Sequence, residues 1–136
     1  MSSISTIALS GMNAATRRLE VSASNVANVM STGAFPSADG TVPAGAPTAY
    51  APLELVQTAS AGGGTQTTVT TAEPSTTAVY DPQAPYANQN GLVAAPNVDL
   101  SQQMVGQVIA SYSFAANAMV MKADDRMTRT LLDITA

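Results

Sequence analysis

The sequence has no cysteine, no histidine and no tryptophan, and it has few charged residues. Without cysteine it forms no disulfide, and without cysteine and histidine the common catalytic triads and zinc sites are excluded. Only 10% of the 136 residues are charged, against roughly 25% in an ordinary soluble domain. Because charged residues are depleted in the cores of protein interfaces, this composition favours a protein that meets other protein surfaces.

Aromatic residues are also scarce, at 4% of the chain, whereas hydrophobic residues make up 46%. The formal net charge of -4 is too small to define a partner. Neither a basic tract for nucleic acid nor an acidic tail is present. No unbroken run approaches the roughly 20 apolar residues of a membrane-spanning helix, so we expect no direct membrane span. The first arginines follow the first apolar run, which is the reverse of a secretory signal peptide.

Proline is confined to the middle of the chain. All eight prolines lie between residues 31 and 96, whereas the five basic residues all lie outside that segment. This division predicts an N-terminal axial helix over residues 1–30, a β-rich and loop-rich insert over residues 31–96, and a C-terminal axial helix over residues 97–136. The predicted fold class is α+β, with the two long helices pairing as a coiled-coil-like layer to form one helical domain.

The N-terminal segment carries a stripe of small and apolar residues. Their alternating spacing of three and four is typical of a coiled-coil seam. Arg17 and Glu20 are spaced for an i,i+3 ion pair, and Gly33 is placed to end the helix in the left-handed conformation. The members of the stripe are Met1, Ala8, Met12, Ala15, Leu19, Ser22, Val26 and Val29.

The C-terminal segment predicts a longer helix. Asp99 can act as its N-cap, with Gln102 three residues later in a capping-box pattern. At about 1.5 Å per residue the helix would be about 50 Å long. Asp125 and Arg129 are spaced for an i,i+4 ion pair. Its apolar stripe consists of Val105, Ile109, Tyr112, Ala116, Met119, Ala123, Met127, Leu131 and Ile134.

The middle segment contains three runs that favour β-strands, at residues 50–58, 65–72 and 76–80. The three glycines at residues 62–64 separate the first two runs, which predicts a hairpin. Pro52 favours the start or the edge of a strand, because proline cannot donate to the hydrogen-bond ladder.

Catalytic groups are almost absent. A serine–lysine arrangement would have to use Lys122, the single lysine, which stands beside Asp124 and Asp125 in a stretch that indicates a solvated helix face. Consecutive helix positions lie about 100° apart, so these two carboxylates do not converge on a metal ion. We therefore expect no enzyme activity, no cofactor and no metal, and an enzyme acting through Lys122 remains the least favoured alternative.

Two stretches resemble one known family. Residues 14–33 (AATRRLEVSASNVANVMSTG) are similar to the N-terminal signature of flagellar rod, hook and related axial proteins, with SNVAN at residues 24–28 as its centre. Residues 80–121 resemble the C-terminal half of the proximal rod proteins of the C type. The spacing that leads to PNVD at residues 96–99 separates this subgroup from its relatives.

The resemblance implies a structural subunit of the proximal rod in the flagellar basal body, which spans the periplasm. It implies export by the flagellar type III apparatus, helical assembly, torque transmission, and a helical layer that encloses the export channel. The implied partners are other rod subunits, the export gate and the basal-body rings. Nucleic acid is not among them. The alternatives are another rod- or hook-type axial subunit and a type III-secreted structural or adhesin protein.

We predict that the two helices pack on neighbouring subunits, because neither stripe has enough partners within one chain. The alternative is an antiparallel helix pair that closes a small domain. The residues predicted at subunit interfaces are Met12, Ala15, Leu19, Ser22, Asn25, Val26, Asn28, Val105, Ile109, Tyr112, Ala116, Met119, Met127 and Leu131.

Two asparagines are unusual in the N-terminal stretch SASNVANV, residues 22–29. Asparagine is a mediocre helix former, because its amide competes for nearby backbone groups. In one interpretation, Asn28 only loosens the end of the helix. In the other, the amides of Asn25 and Asn28 bond the backbone of a neighbouring subunit and fix its register, as a polar residue does in a coiled coil.

Overall fold

The structure is a computed structural model that describes residues 3–37 and 40–135, the last without its side chain. Met1, the first member of the predicted N-terminal stripe, lies outside the described residues. The α+β class with a long helix at each end is confirmed. In chain order the elements are α1 (Ser3–Ala27), β1 (Gly33–Ala34), β2 (Leu53–Ala59), β3 (Thr65–Thr71), β4 (Thr76–Tyr80), β5 (Leu92–Pro96) and α2 (Leu100–Thr135).

The two helices pack side by side and antiparallel. The Ser22 hydroxyl, near the end of α1, donates a hydrogen bond of 2.9 Å to the carbonyl of Gln103, near the start of α2. At the other end of the pair, the Ser5 hydroxyl donates to the carboxylate of Asp124. Helix α2 continues past the first turn of α1 over residues 125–135, which amounts to about 16 Å at about 1.5 Å per residue.

Small residues line the seam between the helices and let their backbones approach closely. Ala8 and Ala15 of α1 and Ala110 of α2 are buried there. A Cβ atom on Gly11 would lie 2.5 Å from the side-chain oxygen of Asn117. The side of α1 that meets α2 therefore contains the small residues of the predicted N-terminal stripe, and little bulk separates the two helices.

Asp124 corrects the prediction of a fully solvated face around Lys122. Lys122 and Asp125 are exposed, whereas Asp124 is buried against the first turn of α1. Negative charge is favoured there, because the amides at a helix N-terminus have no intrahelical partner. The predicted pairs Arg17–Glu20 and Asp125–Arg129 are present at 2.9 Å and 3.8 Å, and both are too exposed to contribute much stability.

Gly33 does not form the predicted left-handed helix cap. It lies in strand β1, and it is not among the glycines with positive φ. The end of α1 is instead satisfied by Asn28, whose backbone N–H and side-chain amide both donate to the Ser24 carbonyl, at 3.1 Å and 2.9 Å. Glycine is required at position 33 for space, because a Cβ atom there would lie 2.1 Å from the backbone nitrogen of Ala49.

The insert forms two small sheets. One is the hairpin of β2 and β3, and the other is antiparallel with the order β1-β5-β4. The hairpin was predicted, and Gly63 and Gly64 in its turn have positive φ. Pro52 directly precedes β2 and accepts a hydrogen bond of 2.8 Å from the Ala72 N–H, as expected for a strand start. Strands β1 and β5 were missed, because one has two residues and the other is largely alanine and proline.

The apolar content of α2 also differs from expectation. Residues 100–134 are long and apolar enough, by length and composition alone, to cross a membrane, although only 6% of the most apolar window is buried. No such segment was expected, because the chain has no unbroken apolar run of roughly 20 residues. In α2 the polar residues are spaced at intervals, so the average stays high.

Replacing Asp99 with alanine is expected to lower the free energy of unfolding by about 1 kcal/mol, the usual value of an N-cap. The Asp99 carboxylate accepts a hydrogen bond of 3.1 Å from the Gln102 N–H at the start of α2, as predicted. Urea unfolding followed by circular dichroism would measure the loss. Asp99→Ser is the control, because serine caps a helix equally well, and equal losses in both variants would contradict the capping role.

Candidate functional site

The predicted apolar residues of α2 lie on the side of the helix that faces away from α1. We call them the α2 stripe. Tyr112 is 74% exposed, Met119 70% and Leu131 66%. Every other member is exposed as well. The members of the α2 stripe are Val105, Ile109, Tyr112, Ala116, Met119, Ala123, Met127, Leu131 and Ile134.

A different side of α2, mostly small or polar, packs on α1 and the residues around it. Its residues repeat at intervals of three and four, and they lie about 120° around the helix from the α2 stripe, given about 100° per residue. The residues of α2 that are not exposed are Gln103, Gly106, Gln107, Ala110, Ser113, Asn117, Ala118, Met121 and Asp124.

This arrangement is the reverse of an ordinary amphipathic helix, which turns its apolar side towards the core. The single chain uses the polar side of α2 and leaves the apolar side in solvent. Contiguous apolar surface of this kind marks an interaction site in a folded protein. The α2 stripe is therefore the leading candidate for a functional surface.

The predicted interface residues of α1 are divided between the seam and the surface. Ala15 and Ser22 are buried in the seam, and Met12, Val26 and Asn28 are half-buried. Leu19 is 42% exposed and borders an apolar groove between the helices with a volume of about 330 Å³. The groove is lined by Ala15, Thr16, Leu19, Ala110, Ser111 and Phe114.

The Asn25 side chain is buried, and its amide forms hydrogen bonds within its own chain. Its amide nitrogen donates to the Leu53 carbonyl at 2.8 Å, and its amide oxygen accepts the Leu53 N–H at 2.9 Å. The same oxygen accepts the Tyr50 hydroxyl at 3.1 Å. The expectation that this amide bonds a neighbouring subunit is thus corrected, because Asn25 is 1% exposed and imitates one residue of a strand beside β2.

Two further contacts fasten the hairpin to α1. The Ser10 hydroxyl accepts the Thr65 N–H at 3.1 Å, and the Arg18 guanidinium donates to the side-chain oxygen of Gln57 at 3.1 Å. With Asn25, these residues recur every seven or eight positions on one side of α1. Sequence reasoning missed Tyr50, Gln57 and Thr65, because no local pattern links them to a helix so far away in the chain.

The described residues offer little chemistry beyond packing. Within residues 3–37 and 40–135 there is no group of three or more acidic side chains placed to hold a metal ion. Lys122 is exposed. The features that the fold builds are thus an exposed apolar stripe and a hairpin held across α1.

Two family models match the chain. One, described as "Flagella basal body rod protein", covers residues 6–34, which include most of α1 and both asparagines. The other, "Flagellar basal body rod FlgEFG protein C-terminal", covers residues 89–134, which include β5 and nearly all of α2. Both matches fall on the helical ends, and neither includes the hairpin.

Several relatives match over almost the full length of the chain, and one matches over less than half of it. The flagellar basal-body rod protein FlgC of Salmonella typhimurium is 35% identical over 132 residues, covering 92% of this chain and 91% of the relative. The chain belongs to the FlgC family of flagellar basal-body rod proteins. The FlgC protein of Agrobacterium fabrum is 30% identical over 139 residues, covering 98% and 94%. The FlgC protein of Bacillus subtilis is 43% identical over 56 residues, which cover 41% of this chain and 37% of the relative.

Membership of the FlgC family gives the chain a structural role, as a subunit of the flagellar basal-body rod. It locates the chain in the basal body of the flagellum and implies assembly with other components of the rod. FlgC proteins are structural rod proteins and are not known as enzymes. The α2 stripe lies inside the segment that the C-terminal family model matches.

Proposed function

We propose that the chain is a proximal-rod subunit whose α2 stripe packs on neighbouring rod subunits. The observation that carries the proposal is the exposure of all nine stripe residues in the single chain. Burying a large apolar side chain contributes about 1.5–3 kcal/mol, so a stripe of this length supplies most of the cohesion that a stiff assembly needs. The interface residues on α1 would join it through Leu19 and the groove between the helices.

The proposal extends to the mechanical role. Heterologous contacts repeated with a rotation and a rise generate a helical assembly. In such an assembly the paired helices would form an inner layer around the export channel and transmit motor torque, with the β-rich insert further out. This role needs stiff helices and interlocked interfaces, and it assigns the chain no catalytic activity and no cofactor.

The proposal also includes the export route of the chain and its individual partners in the basal body. The chain would reach the periplasmic rod through the flagellar type III apparatus and would contact the export gate and the basal-body rings as well as other rod subunits. Support comes from family membership and from the low charge of the surface, which suits contact with other proteins on several sides.

Ala116→Glu is expected to abolish rod assembly and swimming while the chain stays folded. Ala116 belongs to the α2 stripe, and a carboxylate buried in an apolar interface without a partner is strongly unfavourable. The measurement is motility, together with recovery of basal bodies, in cells that make only the variant. Circular dichroism should show a change in stability within about 0.5 kcal/mol, as is usual for an exposed position.

Ala115→Glu is the matched control. Both alanines are exposed, and the two substitutions are chemically identical. Because position 115 lies about 100° around the helix from position 116, it falls at the margin of the stripe, beside Tyr112 and Met119, where a carboxylate still reaches water. Cells with Ala115→Glu should assemble rods. If the two variants behave alike, the α2 stripe is not the interface that builds the rod.

A further inference from the structure

The β2–β3 hairpin has two outer edges, and its ladder shows which backbone groups point outward. The register is unbroken from Leu53↔Thr71 to Ala59↔Thr65. At its two ends, the Ala72 N–H donates to the Pro52 carbonyl at 2.8 Å and the Ser60 N–H donates to the Gly64 carbonyl at 3.1 Å.

Hydrogen-bonded and non-hydrogen-bonded pairs alternate along an antiparallel ladder. The pairs 52/72 and 60/64 are hydrogen-bonded, so the pairs 53/71, 55/69, 57/67 and 59/65 direct their backbone groups away from the hairpin. Two observations agree with this assignment. Both backbone groups of Leu53 bond the Asn25 side chain, and the Thr65 N–H bonds Ser10.

The outer edge of β2 is protected at its Leu53 end. Asn25 occupies both backbone groups of Leu53, and the strand carries the charge of Glu54. Charged side chains and covered backbone groups are the usual means by which proteins prevent unwanted pairing of an edge strand.

Beyond Thr65, whose N–H bonds Ser10, the outer edge of β3 lacks such protection. Thr67, Val69 and Thr71 direct their N–H and C=O groups outward, and these groups have no hydrogen-bond partner among the described residues. The strand has no charged residue, no proline and no bulge. A regular, uncharged edge of this kind is a template for the addition of another strand.

A second open edge occurs on β4. The Asp81 N–H donates to Gly91 at 2.9 Å and the Asn97 N–H donates to Ser75 at 3.0 Å, which fixes the alternation of the β4–β5 ladder. The groups that point outward therefore belong to residues 76, 78 and 80. Among the described elements, β4 contacts β5 and no other helix or strand. It is also free of charge.

We propose that the β3 edge of one copy pairs antiparallel with the β4 edge of the next copy, with Val69 opposite Ala78. This inference rests on the proposed rod function and names a second surface for it. A second copy is the occupant because the two edges match: each offers three outward residues at alternate positions, and neither carries charge. The two edges lie at different places on the chain, so the contact is heterologous and continues from copy to copy.

The first test removes one outward N–H from each edge of the hairpin in the full-length chain. Val69→Pro deletes a donor of the β3 edge without deleting a bond of the hairpin, and the preceding residue is already extended, as proline requires. Ala59→Pro does the same on the β2 edge and is the matched control. Sedimentation across a concentration series should show self-association weakened at least about fivefold by Val69→Pro only.

A second pair of variants leaves the backbone intact. Thr70→Lys and Thr58→Lys each place a charge on the outward face of the hairpin, on β3 and β2 respectively, at exposed positions. Only Thr70→Lys should weaken self-association. Equal effects within either pair of variants would overturn the proposal, and so would a wild-type chain that stays monomeric at about 1 mM, where even weak contacts are populated.

Cross-linking identifies the occupant, because the chain has no cysteine of its own. In the proposed register Thr70 lies opposite Thr77 in a non-hydrogen-bonded pair, at a Cα separation of about 4.5 Å, which a disulfide can bridge. A mixture of Thr70→Cys and Thr77→Cys chains should form a cross-linked dimer on oxidation. The mixture of Thr58→Cys and Thr77→Cys should not.

If Thr70→Cys alone cross-links as efficiently as the mixture, β3 meets β3 and the proposed occupant is wrong. The rod function is judged separately, by the recovery of basal bodies with Ala116→Glu and Ala115→Glu. Rods that depend on Ala116 but tolerate Val69→Pro, with unchanged self-association, would remove the strand pairing and leave the rod function standing.

Discussion

Replacing Asn25 with alanine is expected to lower the free energy of unfolding by about 3–5 kcal/mol, because it removes a buried side chain and leaves both backbone groups of Leu53 without their partner. The side chain serves both backbone groups of Leu53 and the Tyr50 hydroxyl, and it is among the most deeply buried side chains of the chain. An unsatisfied buried donor or acceptor costs about 1–3 kcal/mol, and the half-buried Leu53 would have one of each beside the space that the side chain leaves. Urea unfolding monitored by circular dichroism would measure the loss.

Asn28→Ala is the matched control for this effect. The Asn28 amide donates to the Ser24 carbonyl at 2.9 Å in a half-buried position, where water can replace it. Its loss should cost about 1 kcal/mol. Asn28 directly follows the last residue of α1, three residues beyond Asn25, so the same substitution is made close by but outside the contact with β2. If Asn28→Ala proves as destabilising as Asn25→Ala, the contact with β2 is not what stabilises this junction.

Gly33→Ala is expected to destabilise the chain by at least about 3 kcal/mol. The reason is overpacking, because only a movement of the backbone could make room for the added methyl group. The added Cβ atom would lie 2.1 Å from the Ala49 nitrogen and 2.4 Å from the Thr48 carbonyl carbon. Both are backbone atoms, so no side-chain rotation removes the clash. Thermal unfolding should show a lower melting temperature, and β1 should lose its pairing with β5.

Gly106→Ala provides the opposite control with the same chemical change. Gly106 lies inside α2, and nothing lies within 4 Å of the position that its Cβ would take. Alanine should therefore raise the stability by about 0.5–1 kcal/mol through helix propensity. A destabilisation by Gly33→Ala no larger than the change at Gly106 would show that the backbone at residues 47–49 moves freely.

The parts of the fold that were predictable depend on interactions between residues close in sequence. The N-cap at Asp99, the Arg17–Glu20 pair and the glycine turn of the hairpin each need neighbours within a few positions, and all three are present. Strand β5 was missed because alanine and proline carry little strand propensity, and its position depends on pairing with both β1 and β4.

The residues of the candidate site were predictable from local spacing, but the direction in which they face was not. Periodicity identified the α2 stripe correctly as one side of a helix, but it could not tell whether that side meets α1 or solvent. The side that meets α1 is chosen by fit, since Ala110, Asn117 and Asp124 accept a close partner helix. Bulky members of the stripe, such as Tyr112, would hold the helices apart.

By itself, the sequence determined the class of this protein. Two helices around a proline-containing insert, the absence of cysteine and histidine and the low charge follow from composition and spacing alone. Tertiary structure alone decided that Asn25 bonds β2, that Gly33 is required for space and that the apolar side of α2 faces outward. These outcomes depend on contacts between segments far apart in the chain, whose free energies no local pattern encodes.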